Sequence, residues 1–257
     1  MSEIAARQDG MLDGASKSEA GLSQVERLVG VFVAPTRTFE DIRRSASWWL
    51  PWLVSAVLGL VFAWVVLHRI GMASLVEGVI QGSAVLQEQV ANATPAQAAG
   101  IRQGMEMRFQ YMYVGPVIFL LVGVIVSAIL LGTANFVFGG RATFKQMLAV
   151  WFYGTLPLAV ISVLTIISLY TGMSGDQFNI RNTVGTNVGY WVMNAGWPQW
   201  LVTLLSSMDI CAIWSAVLLT LGISIVARIN RGAAAVTVFG WWLVYAVIQA
   251  GLAAFMG

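Results

Sequence analysis

Val150-Trp151-Phe152-Tyr153-Gly154-Thr155-Leu156-Pro157-Leu158-Ala159-Val160 lies midway along the third of five long apolar runs, and its proline decides how those runs are read. Pro157 has no amide hydrogen, so a helix through this point loses its bond to the carbonyl of Tyr153, and the ring presses on the same carbonyl. A kink is predicted. Hydrocarbon offers that carbonyl no water, so such a break is tolerated only where neighbouring helices or polar side chains can satisfy it. The third run is therefore expected at the centre of a bundle, with two runs before it and two after.

The surrounding composition agrees. Of 257 residues 58% are hydrophobic and 10% charged, and the mean hydropathy is +0.77, values of a polytopic membrane protein. The runs cover 48–67, 115–138, 147–170, 210–227 and 233–256. At about 1.5 Å per residue each spans a hydrocarbon core of about 30 Å. The fold class read from this is an all-α bundle of five transmembrane helices. Residues 1–22 mix Ser, Gly, Ala and both charge signs without periodicity and read as a disordered tail. They hold no basic-then-apolar signal pattern, so the first span serves as its own insertion signal.

Charge placement predicts orientation. Ten basic residues fall before the first span, between the second and third, and between the fourth and fifth; four fall in the other connections. The positive-inside rule then puts the N-terminus in the cytoplasm and the C-terminus outside. A net charge of +2 with scattered basic residues gives no nucleic-acid surface. Cys211 is the only cysteine, so no intrachain disulfide is possible.

Local signals fill in the connections. A helical pattern begins at Ser23 and is interrupted at Ala34-Pro35. A second helix should start at Pro35, suited to a first turn, and run to Arg44. Phe39 and Ile42 share a face, while Arg37, Arg43 and Arg44 are available to lipid phosphates, so this helix reads as interfacial, with ordinary packing under the bundle as the alternative. Thr94-Pro95-Ala96-Gln97 combines a cap, a first-turn proline and a capping-box glutamine. A helical hairpin outside the membrane is expected there, its second arm running into the second span with a bend near Gly115-Pro116. Small residues four apart, Gly123/Ser127 and Ala128/Gly132 in the second span and Ala212 to Ser224 in the fourth, are suited to close helix contact.

Chemistry-bearing residues are few. The string Gly172-Met173-Ser174-Gly175 has the Gly-x-Ser-Gly form of intramembrane serine proteases, but its only candidate base is His68, and a turn leaving the third span explains it as well. Metal-ligand spacing and phosphate-cradling glycines are absent from the sequence, so no cofactor, metal or catalytic residue is assigned. Asp209 is either an N-cap of the fourth span, a proton or ion group, or a pairing group within the bundle. Asn135, Tyr153, Tyr245 and Gln249 are expected to point inward and bond across helices, offsetting the opening at Pro157.

The stretch from Val33 to Ile42, with Ala34-Pro35 and Phe39-Glu40-Asp41, followed by Trp48-Trp49-Leu50-Pro51, resembles the juxtamembrane entry of bacterial members of the Yip (Ypt/Rab-interacting protein) membrane family. Asp209 to Trp214 with Gly222 is similar to that family's Asp-x-x-x-x-Trp fourth-span pattern. Tyr153-Gly154 and Pro157 are similar to its third-span signature, and Gly115-Pro116 to the end of its Asp-Leu-Tyr-Gly-Pro motif, although Tyr111, Met112 and Val114 depart from the rest of that motif. The resemblance implies five helices and, for eukaryotic relatives, a link to Rab GTPases and vesicle traffic. The expected role is a non-enzymatic membrane scaffold or adaptor in a bacterial cytoplasmic membrane, its partners being lipids, a protein or a second copy. The alternative is a small carrier or channel with a path near Pro157.

Overall fold

The computed structural model describes residues 21–175 and 177–256; the tail read over 1–22 falls, as far as residue 20, outside the described residues. The described chain is helical. Helix α1 (Gln24–Val33) and α2 (Pro35–Arg44) form an N-terminal hairpin, followed by α3 (Trp49–Arg69). Then come α4 (Met72–Gln81), α5 (Ala84–Ala91), α6 (Pro95–Gln110) and α7 (Gly115–Gly132). A 3₁₀ turn at Tyr111–Val114 joins α6 to α7, and a π turn at Thr133–Val137 ends it. The predicted hairpin and its bent passage into the second span are both present, with the Thr94/Gln97 capping box formed.

The third span is two helices, α8 (Phe144–Gly154) and α9 (Leu156–Thr171), separated at Thr155. The predicted break is therefore real. Pro157 stands in the first turn of α9, where a helix has no bond for its missing N–H to make. The Thr155 hydroxyl donates to the Trp151 carbonyl at 2.8 Å, a second bond to an oxygen that already accepts from the Thr155 amide at 3.0 Å. Beyond lie α10 (Val188–Val192), α11 (Gln199–Ser206), α12 (Ile210–Ala227) and α13 (Arg231–Met256). Among the described residues, five helical stretches are long and apolar enough to cross a membrane: Trp49–Arg69, Pro95–Val137, Phe144–Thr171, Ile210–Ala227 and Arg231–Phe255.

The centre of the bundle is shared. Spans three and four are 44% and 56% buried over their most apolar windows, against 28% or less for the others. They approach closely at Gly154, where a Cβ would stand 2.6 Å from Leu219 Cδ2. Spans two and three meet at Gly123, where a Cβ would stand 2.8 Å from Phe152 Cζ. Gly132, in contrast, faces open space, so the second small pair of α7 makes no such contact. Phe152 also stacks on Trp48 at 5.7 Å and meets Phe119 edge-on at 5.5 Å, tying the start of span one to spans two and three.

Candidate functional site

The hairpin at the start of the chain carries the feature that local periodicity did not reveal. Ser23 caps α1 in a full capping box with Glu26, and the chain turns at Ala34 directly into Pro35, the first residue of α2. An antiparallel hairpin with its corner at Ala34 places residues equally far from the corner opposite one another. Four positions either side, Gly30 faces Thr38 so closely that a Cβ on Gly30 would lie 2.5 Å from Thr38 Oγ1. Seven positions either side, Arg27 Nε donates to Asp41 Oδ2 at 2.6 Å, with the two side chains 3% and 6% exposed. Arg27 Nη1 is also buried and makes no hydrogen bond.

A buried ion pair is costly to assemble and more costly to break, because removing one partner strands the other's charge away from water. Here the surroundings help to compensate. Gln24 accepts a hydrogen bond from the Tyr153 hydroxyl at 3.1 Å, and the Arg27 charge acts on that same hydroxyl. Tyr153 thus reaches from the third span to the hairpin. Phe39 and Ile42 are fully buried in the core with Tyr153, Val150 and Ile223. The expected interfacial helix accordingly turns its apolar face to the bundle, not to lipid, and fills the groove between α8 and α12. Arg37, Glu40, Arg43 and Arg44 remain on its exposed side. At the far end of α2, Gln146 donates to the Arg43 carbonyl at 2.7 Å while also closing the Thr143 capping box, so one side chain fastens both helices. Outside the membrane spans, hydrogen bonds from the Ser23 backbone and hydroxyl hold the Glu26 carboxyl below the usual carboxylate range.

Other singled-out residues occupy separate places. Asp209 is the N-cap of α12: its Oδ1 accepts from Cys211 N at 2.8 Å and Ala212 N at 3.2 Å, and its Oδ2 accepts from the Thr186 hydroxyl. The capping reading is the one the geometry realises. Trp214 meets Phe32, at the tip of the hairpin, edge-on at 5.3 Å. Gly222 lies beneath Phe39, and Pro35 begins α2. Gly115 opens α7 beside empty space, and the Pro116 carbonyl accepts from Trp52 Nε1 at 3.2 Å.

Two expectations need correcting. Asn135 does not offset the opening at Pro157; it exchanges two hydrogen bonds with the backbone of Ala142 and so shapes the short connection between spans two and three. Gln249 donates to Tyr245, four residues earlier on its own helix, at 2.9 Å, and Tyr245 is exposed. That pair is a same-face contact of one helix and not a bond across the bundle. His68 stacks on Trp64 of its own helix, and Ser174 sits in the turn after α9. Among the described residues, no group of three or more His, Cys, Asp or Glu could hold a metal ion.

These features define a class: a polytopic α-helical membrane protein of five spans with an N-terminal helical hairpin docked against its two most buried spans. The Yip1 domain model matches residues 29–253, most of the chain, and the protein belongs to the Yip1 domain family. No curated protein and no solved structure matches the chain.

Proposed function

We propose that this Yip1-family protein is a non-enzymatic membrane scaffold or adaptor, with the N-terminus in the cytoplasm and the C-terminus outside, in a bacterial cytoplasmic membrane. The observation that carries this reading is the two-sided exposed surface of the docked hairpin. Along α1 it offers Val25, Val29, Phe32 and Val33, and along α2 it offers Arg37, Glu40, Arg43 and Arg44. An apolar strip beside a charged one suits a partner lying at the boundary between lipid and cytoplasm. The ion pair beneath holds that surface in one shape.

The test is proximity labelling and crosslinking of tagged protein in its native membrane, comparing wild type with Val29→Glu and with Arg37→Glu/Glu40→Lys. A defined partner, whether another protein or a second copy, recovered from wild type and lost from both surface variants supports the adaptor reading. Identical profiles from all three would sink it.

The carrier alternative has one specific observation behind it. A groove of about 380 Å³ reaches the helix break, lined there by Thr155, Ser55 and Leu158. A conducting path would have to continue past Thr155 to Tyr153, which is fully buried and engaged with Gln24. Solute efflux from vesicles that rises with Tyr153→Ala, and not with Val29→Glu, would favour the carrier.

A further inference from the structure

The groove at the helix break does not stand alone. On one side of the bundle it runs between α3, α7 and α9, bounded by Gly59, Ala63, Pro116, Phe119 and Ala159. Phe62 and Ser162 close its Asp209 end, and those same two residues bound a second pocket of about 320 Å³. The second pocket gathers the polar side chains Arg181, Asn182, Thr183, Thr186, Asn187 and Asp209 beside the apolar Phe62, Ile161, Ile180 and Val184. The two pockets adjoin across Phe62 and Ser162, and together they make a cleft with an apolar body along the spans and a head that carries polar side chains in the connection between spans three and four.

Most polar groups of the head are already committed to the protein. Asn182 donates to Ser206 at 2.8 Å, Thr165 donates to Thr183 at 2.7 Å, and Asp209 is occupied by Thr186 and the α12 backbone. They form a fixed frame. The Arg181 guanidinium makes no ion pair or hydrogen bond among the described residues, and Asn187 accepts from Tyr190 with its oxygen, leaving its amide N–H groups for other use. What the frame leaves over are donors, one of them a full positive charge, and such donors recognise phosphate oxygens.

We infer that this cleft binds one phospholipid, with the phosphate at Arg181 and Asn187 and an acyl chain along the groove to Thr155. A free anion would use the head alone, and loosely held bilayer lipid would use the groove alone. Only an amphiphile matches both parts and their junction at Phe62 and Ser162. The inference is independent of the hairpin surface, which involves none of these residues.

The test uses the full chain purified in a phosphorus-free detergent, with native mass spectrometry and thermal unfolding as readouts. Phosphatidylglycerol, diacylglycerol and inorganic phosphate are added separately to wild type, Arg181→Gln, Gly59→Leu and the control Arg102→Gln. Gly59 lines the groove and has nothing within 4 Å of its Cβ position, so a side chain can leave the backbone there without a clash, and the unliganded melting temperature of the leucine variant checks that it folds. Wild type and the control are expected to retain one phosphatidylglycerol and to be stabilised by it. Both Arg181→Gln and Gly59→Leu should weaken that binding by about tenfold or more, the scale of a lost charge-assisted bond or a displaced chain. Equal retention by all four proteins would mean bilayer lipid only and would overturn the site. So would stabilisation by inorganic phosphate that Gly59→Leu leaves intact, or diacylglycerol binding as tightly as phosphatidylglycerol.

Discussion

The ring of Phe39 lies directly over Gly222: a Cβ at that glycine would stand 2.9 Å from Phe39 Cε1 and 2.7 Å from Val150 Cγ1. The absence of a side chain on the fourth span is thus what admits the second helix of the hairpin. Gly222→Val should force the hairpin outward and cost about 1–3 kcal/mol, the range for overpacking a tight contact. Thermal unfolding in detergent together with amide exchange across residues 31–42 measures this; unchanged protection there would show that the glycine is dispensable.

Arg27 and Asp41 should behave as a unit. Arg27→Met or Asp41→Leu alone strands a buried charge, at about 3–5 kcal/mol, whereas the double variant should recover most of the loss. A double-mutant cycle of unfolding free energies decides it. Additive losses would mean that the two side chains are not coupled.

Pro157 should matter less than the glycine three residues before it. In the first turn of α9 its missing N–H forfeits no helical bond, so Pro157→Ala should change stability by under about 1 kcal/mol. Gly154→Val, driven into Leu219, should be much worse. The reverse ranking in melting temperature would show that the proline itself maintains the break.

Asp209→Ala should loosen the start of the fourth span and the connection before it. Loss of the cap costs about 1–2 kcal/mol, and Asn, which keeps an acceptor, should cost less. Faster amide exchange at residues 184–187 is expected only for the alanine variant, since Ile210 N bonds to Thr186 O across this junction. If both variants unfold alike, the charge is needed for more than capping.

Acidification should fray the first turn of α1. The Glu26 carboxyl is held lower in the folded chain than its unfolded value of about 4.3, so its contribution is present above that pH and is lost as pH falls through the folded value. Exchange protection at residues 24–27 should therefore be flat from neutral pH to about 4.5 and drop below it. Glu26→Gln should remove this dependence.

Much of the architecture was readable because the sequence marks helix ends chemically. Asp209 and Arg228 bracket the fourth span, whose ends fall where the apolar pattern put them, at Ile210 and Ala227. Thr94 with Gln97 and Ala34 with Pro35 did the same for α6 and α2. The ion pair was hidden for a different reason. A helical period sorts residues by face within one helix, and Arg27 and Asp41 each look like an ordinary polar interruption until the corner at Ala34 sets them opposite. Asn135 and Gln249 were misplaced because a polar residue in an apolar run was expected to seek another helix, whereas each found a nearer partner. Tyr245, four positions from Gln249, was the available sign. The threonine two residues before Pro157 was the corresponding sign for the helix break.

The docking of α2 between the third and fourth spans also bears on biosynthesis. The hairpin leaves the ribosome before the spans, but Gly222, which completes its berth, follows 181 residues after Asp41. At about 5–20 residues per second, the hairpin waits roughly 10–40 s for its seat. The berth of the N-terminal helix is thus completed only once the fourth span has been made.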